Sequence, residues 1–241
     1  MTIHVYTICW NEEGMLPHFL RHYTSFCDQV FVYDNFSTDR SPSICLSHAN
    51  VTLRQYDSGG QIRDDLYLSV KNNVWKRSRG KADWVIVCDI DEFLYAPDLR
   101  KLLEQLNQSE ETLVRCKGFN MVSTHYPTEQ EVIFETIREG VRSTSFDKVL
   151  LFRPDEIDEI NFGPGAHSCN PIGSINYSAL DFKLLHYKYL SLDYNLQRYR
   201  LMASRLSDYN KKFHFGIHYG YSSRKIKREF NEIWAKRSSV L

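Results

Sequence analysis

Short apolar runs and longer amphipathic stretches alternate through the first hundred residues of the chain. Ile3 to Cys9 reads as a strand, and Gly14 to Phe26 as a helix opening near Pro17. Gln29 to Tyr33 is a second strand, a short helix begins near Ser41-Pro42, and Val51 to Tyr56 is a third strand. After Gly59-Gly60, the apolar residues Leu66, Val70 and Val74 recur at near-helical spacing, which predicts a helix of about five turns over Asp64 to Arg79. Trp84 to Cys88 is a fourth strand, apolar enough to be covered on both faces.

This order predicts an α/β fold, a Rossmann-like, mostly parallel sheet flanked by helices, with ligands at the carboxyl ends of the strands. The polar clusters fall at those ends: Thr7 to Glu13, Asp34 to Asp39, Asp57 to Arg63 and Asp89 to Glu92. The second half reads differently. Pro97 to Gln108 is a helix, Thr112 to Val122 and Lys148 to Phe152 are strands, and Asn161 to Gly173 is a loop rich in Gly and Pro. Phe182 to Tyr189 is a further strand, and helical patterns dominate from Leu190 onward.

A length of 241 residues suits one large domain with C-terminal helices, spanning residues 1–241, better than two full domains. Thirty basic residues balance thirty acidic ones, so no global field draws the chain to nucleic acid. The basic stretch Arg224 to Arg228 is a local candidate for peripheral contact with an anionic membrane, although interleaved acids also suit a solvated helix face. Six cysteines without CxxC spacing look like core thiols in a reducing compartment, and no run of eighteen apolar residues occurs, so a soluble, cytoplasmic protein is expected.

The fourth strand empties into Asp89-Ile90-Asp91-Glu92, three carboxylates in four residues. Crowded carboxylates repel one another and lose hydration, and a divalent cation such as Mn²⁺ or Mg²⁺ relieves both penalties. A solvated acidic loop is the plain alternative.

Asn11-Glu12-Glu13 after the first strand, Asp34-Asn35-Phe36-Ser37-Thr38-Asp39 after the second, and Asp89-Ile90-Asp91-Glu92-Phe93-Leu94 after the fourth resemble the family 2 type glycosyltransferases of the GT-A fold. The match is closest to the branch whose motif runs Asp-x-Asp-Glu-Phe-Leu, and Leu184-Leu185-His186-Tyr187 resembles that branch's His-Tyr motif. The resemblance implies a metal-dependent transfer from a nucleotide sugar, most often UDP-linked, to a saccharide or lipid-linked acceptor, with inversion the commoner outcome. It assigns residues 1–100 to the nucleotide-sugar half and 101–241 to the acceptor half. Thr7, Asn11, Glu12, Asp34, Asn35 and Asp89 would meet the nucleotide, and Asp89 and Asp91 the metal. Many members carry two aspartates in the second loop, where this chain has Asp34-Asn35.

His186 is a candidate further metal ligand, or else a hydrogen-bonded histidine on a buried strand. Arg63, after the Gly-Gly loop, is a candidate for phosphate or base, whereas Lys71 and Asn72 suit a helix surface. An inverting transfer needs a general base. Asp91, Glu129 and His167 are carried as the catalytic candidates, with Glu131, Asp147, Asp155 and His125 also available. Three other readings compete. A haloacid-dehalogenase-type phosphatase would open the chain with its Asp motif, and a nucleotidyltransferase would follow its first strand with a basic Gly-rich loop. A non-catalytic carbohydrate-binding module would use the chain's many tyrosines and tryptophans as stacking surfaces.

Overall fold

A computed structural model describes residues 1–241. The first half contains strands β1 (Ile3–Cys9), β2 (Gln29–Asp34), β3 (Val51–Gln55), β4 (Trp84–Val87) and β5 (Glu92–Tyr95), with helices α1 (Leu16–Tyr23), α2 (Ser41–Leu46), α3 (Asp64–Asn73) and α4 (Leu99–Asn107). The second half contains β6 (Leu113–Arg115), β7 (Lys117–Ser123), β8 (Glu139–Arg142), β9 (Val149–Phe152), β10 (Ile157–Glu159), β11 (Ile172–Gly173), β12 (Lys183–Leu190) and β13 (Ser238–Ser239). Its helices are α5 (Ile133–Thr136), α6 (Leu192–Ser204), α7 (Asp208–Lys212) and α8 (Ser223–Lys236).

The main sheet runs β3-β2-β1-β4-β9-β6. Its first four strands are parallel, in registers such as Cys9 opposite Asp34 and Tyr6 opposite Val87, while β9 is antiparallel to both β4 and β6. Parallel pairing aligns the carboxyl ends of β1 to β4, so the polar clusters gather along one edge as expected. A second sheet, β13-β8-β7-β12-β5, stands beside it. The strand β5 takes up the end of the acidic motif as Glu92-Phe93-Leu94-Tyr95 and pairs antiparallel with β12, Glu92 opposite His186.

Three elements differ from the sequence pattern. The expected strand over Thr112 to Val122 breaks at fully buried Cys116 into β6 and β7, which belong to different sheets. The helix expected to reach Arg79 tightens to 3₁₀ over Val74–Ser78, where Trp75 turns into the core edge-on to Phe152 at 4.9 Å. The acidic motif is a tight turn between two strands, Asp89 to Asp91 in the turn and Glu92 opening β5, rather than a free loop.

One apolar core of 34 buried residues runs from Ile3 to Val240 and joins the two halves. In α1, Leu16, Phe19, Leu20 and Tyr23 recur at helical spacing and bury one face against this core. After β12 the chain returns over the carboxyl edge of the main sheet. The Arg205 carbonyl accepts from Ile62 N at 2.7 Å. Asn210 accepts from Asp64 N at 2.9 Å and donates to its carboxylate at 2.8 Å, satisfying the first turn of α3 from a distant segment.

Candidate functional site

A cleft of about 490 Å³ opens at this edge, between the ends of β1 and β4 on one side and α6 with residues 214–219 on the other. Asp89, Asp91, Glu92, Glu12, His167 and His186 line it, so six residues of the sequence-derived set converge. Asp91 and Asp89 keep 37 % and 38 % of their side-chain surface open, enough for a ligand to reach them.

The three carboxylates have separate partners. Lys71 Nζ lies 2.6 Å from Asp89 Oδ1, and Lys148 Nζ lies 2.5 Å from Glu92 Oε1 and 4.0 Å from Asp89. Loss of surrounding water pushes the Asp89 carboxyl up, but Lys71 and then Lys148 outweigh it and hold the group below its ordinary range. Glu92 Oε2 accepts from Asp89 N at 3.1 Å, which fixes the turn between the strands. Lys148 also donates to Gly165 O at 2.8 Å and is only 2 % exposed. Asp89, expected on a metal, is therefore held by two lysines of the chain.

Asp91 faces His186 Nε2 at 3.3 Å. The other ring nitrogen, Nδ1, lies 2.9 Å from Asn120 Oδ1, an acceptor, so Nδ1 donates there and Nε2 is the nitrogen turned to Asp91. A ring nitrogen facing a carboxylate at this distance shares either its own proton or a cation with it. No three His, Cys, Asp or Glu side chains form a closed cage, yet an oxygen and an imidazole donor on an open cleft fit an ion that completes its shell with ligand phosphates. Phe146 stacks on His186 at 4.1 Å and meets His167 edge-on at 4.7 Å. His167 Nδ1 donates to Ser145 O at 2.9 Å, which leaves Nε2 as its acceptor. Burial, and then Lys148, lowers its pKa.

Glu12 is paired with Arg198 of α6, a contact that ties the first loop to the returning helix. Burial pushes the Glu12 carboxyl up to about 7, against the pull of Arg198.

The other expected ligand residues do not line the cleft. Thr7 shares with Val5 and Cys9 the strand face packed on the core and is 3 % exposed. Asn11 accepts from Thr38 N at 2.8 Å, and Asp34 accepts from Ser37 N at 3.0 Å, so the first two loops are laced together. Asn35 exchanges bonds with Ser58 at 2.7 and 3.1 Å. Arg63 is forked onto Asp65 at 2.9 and 2.6 Å. Glu129 lies outside the cleft, in a shallow depression with Pro17 and Arg21, where Arg21 grips its carbonyl. Its loop crosses α1 rather than the sheet edge, which removes it as the base.

Lys71 corrects the sequence reading in the opposite direction, since it is 6 % exposed and paired where a solvated helix face was expected. Asn72 is structural: it accepts from Phe162 N at 2.7 Å and donates to Phe162 O at 3.2 Å. Lys148 and Arg198 went unrecognised. Lys148 left one signal, a charge at the mouth of an apolar run; Arg198 left none beyond its helical spacing from Tyr194. The helix α8 docks through Ile226 and Phe230 and leaves Arg224, Lys227 and Arg228 exposed, with Arg228 3.6 Å from Glu232. No helix is long and apolar enough to cross a membrane.

Among solved structures the chain is similar to S. aureus TarS 1–349, at 14 % identity over 85 % of this chain and 65 % of that one, with a TM-score of 0.49. For TarS 1–349 in complex with UDP-GlcNAc the values are 15 %, 85 %, 66 % and 0.48. For glucosyl-3-phosphoglycerate synthase from Mycobacterium tuberculosis, in complex with Mn²⁺, UDP and phosphoglyceric acid, they are 22 %, 49 %, 43 % and 0.31. The chain thus spans less than two thirds of each of these structures. No curated protein sequence matches it. The model of the family described as "Glycosyl transferase family 2" matches residues 4–157. That stretch is more than half of the sequence and carries the first two loops, the acidic motif and Lys148, and the chain belongs to this family.

Proposed function

We propose that the chain transfers a sugar from a nucleotide sugar, UDP-linked, to a saccharide or lipid-linked acceptor, with inversion at the anomeric carbon. The observation that carries this reading is the pair Asp91 and His186, a carboxylate and an imidazole nitrogen that face each other at 3.3 Å on the open cleft. Asp91 and His186 would hold a divalent cation, Mn²⁺ or Mg²⁺, which would supply positive charge toward a diphosphate leaving group. Lys71 and Lys148 neutralise Asp89 and Glu92, so the floor of the cleft does not repel that diphosphate. His167 is the base: Ser145 O holds its Nδ1 proton, and Nε2 accepts the proton of the acceptor hydroxyl as its oxygen attacks the anomeric carbon. The bond to the diphosphate oxygen breaks on the opposite face.

The register supports the Asp-x-Asp-Glu-Phe-Leu branch, because its two motifs are neighbours, Glu92 opposite His186. Residues 1–100 supply most of the donor side, and residues 101–241 the acceptor side. The exposed basic side chains of α8 are the candidate contact with a lipid surface.

Thermal denaturation with UDP, GDP, CDP and ADP, each with and without Mn²⁺, tests the reading. A nucleoside diphosphate at a hundredfold excess over its Kd adds about 2.7 kcal/mol, or roughly 5–11 °C for a chain of this size. If none of them raises Tm with or without Mn²⁺, the reading fails.

A further inference from the structure

Arg205, at the end of α6, is 8 % exposed and lines the cleft. Its Nε donates to Gly60 O at 2.9 Å, and its guanidinium carbon stacks 3.1 Å from the centroid of the Trp10 ring. Its Nη2 is sealed from water with no hydrogen-bond partner. Among the other cations lining the cleft, three are paired with carboxylates and one, Lys188, has only ring contacts. Lys71 has Asp89, Lys148 has Glu92 and Arg198 has Glu12, while Lys188 rests over the rings of Tyr189 and Tyr199. A buried guanidinium with an unsatisfied edge is costly to keep unless a ligand completes it.

The position says which part of a ligand that is. Trp10 follows β1 and Gly60 follows β3, whereas Asp91 follows β4, and the strand order is β3-β2-β1-β4. Neighbouring strands lie about 4.8 Å apart, so the Arg205 corner is roughly 5–14 Å from the end of β4. A nucleotide with its diphosphate at Asp91 spans that distance and brings its base, not its phosphates, to the corner. The Trp10 ring covers one face of the guanidinium, so the N–H groups are offered in the plane, toward an oxygen on the rim of a flat ring.

We propose that Arg205 selects the base of the donor by donating to a ring carbonyl, and so separates uracil from cytosine and adenine. Cytosine replaces one of the uracil carbonyls with an amino donor, which faces the guanidinium unfavourably, and adenine has no carbonyl. This inference rests on the nucleotide-sugar reading above. Arg205 lies outside residues 4–157, so it is not part of the pattern that defines the family.

Calorimetric titration of the full chain with UDP, CDP and ADP in Mn²⁺ tests it, using wild type, Arg205→Met and Arg205→Lys. Wild type is expected to bind UDP at least tenfold tighter than CDP or ADP. Arg205→Met keeps an apolar stem on Trp10 and should weaken UDP at least tenfold while changing CDP and ADP less than threefold. Arg205→Lys keeps the charge without the planar fork and should lose the selectivity also. It serves if circular dichroism shows Arg205→Met to be unfolded. An equal loss for all three nucleotides would mean that Arg205 meets phosphate, and would overturn the proposal. So would an absence of UDP preference in wild type, or a preference left intact in a folded variant. If wild type binds none of the three, the nucleotide-sugar reading falls with it; if wild type binds UDP and only the Arg205 predictions fail, that reading stands.

Discussion

Lys148→Met removes one half of an ion pair whose partners, Lys148 and Glu92, are each 2 % exposed. At 2.5 Å and an effective dielectric of about 20, the attraction is about 6–7 kcal/mol, and the cost of burying the two charges takes back most of it. The pair as a whole therefore adds little, while its half-removal strands a carboxylate with no water to turn to. Glu92 cannot swing away, because its Oε2 holds Asp89 N and its backbone is fixed by β12. A loss of about 3–5 kcal/mol follows, which corresponds to a fall in Tm of roughly 6–20 °C. Adding Glu92→Gln removes the stranded charge and keeps an acceptor for Asp89 N, so the double variant should recover about 2 kcal/mol. Urea denaturation at pH 7 without ligand, followed by circular dichroism and tryptophan fluorescence, gives the three free energies. A cost below about 1 kcal/mol for the single change would refute the reasoning, as would a double variant that merely sums the two singles.

Burial lowers His22 to about 4, with its Nε2–H donating to Leu94 O at 2.9 Å. The unfolded chain binds the proton first, so this stability is complete above about pH 6.5 and is lost as pH falls toward 4, at most about 3 kcal/mol. His22→Phe should flatten that limb of a Tm-against-pH curve, and an unchanged slope would exclude His22 as its source. Gly118→Ala places a Cβ 2.4 Å from both the Cβ and the carbonyl oxygen of Phe146. Because Phe146 stacks on His186, melting and nucleotide titration should both register the shift, with a stability loss of about 1–3 kcal/mol or more. His167→Gln should lower kcat by roughly 10²–10⁴ with little change in donor KM. The wild-type acidic limb should lie below the ordinary histidine value of 6.5; a limb above it, or an unaffected kcat, would remove His167 as the base.

The parallel half of the fold was legible because β1 to β4 are short apolar runs whose polar ends are forced to one edge by the parallel arrangement. Asp91 and Glu12 could be named for the same reason, because their motifs adjoin strand ends, whereas His186 lies inside β12 and is marked only by its His-Tyr motif. Lys71 was misread because α3 lies along the cleft rather than on the core. Its one buried position is a lysine facing Asp89, so the helix shows no strong apolar stripe. Cys116 hid the change of sheet, since an apolar run looks alike whichever sheet it joins. Lys148, Arg198 and Arg205 acquire their meaning only when the chain returns to the edge, long after the motifs they complete. Thr7, Asn11 and Asp34 are where a nucleotide contact is expected and are instead absorbed by the core and by the lacing of two loops. A polar residue at a strand end carries no mark that distinguishes a ligand contact from a scaffold bond.

The central claim concerns the Asp91 and His186 pair, and the direct measurement is release of nucleoside diphosphate from a UDP-sugar by wild type and by Asp91→Asn in Mn²⁺. Wild type should release UDP, and Asp91→Asn, with an unchanged circular dichroism spectrum, should release at least a hundredfold less, a rate loss of about 2.7 kcal/mol. Full turnover by the folded Asp91→Asn variant would contradict the account.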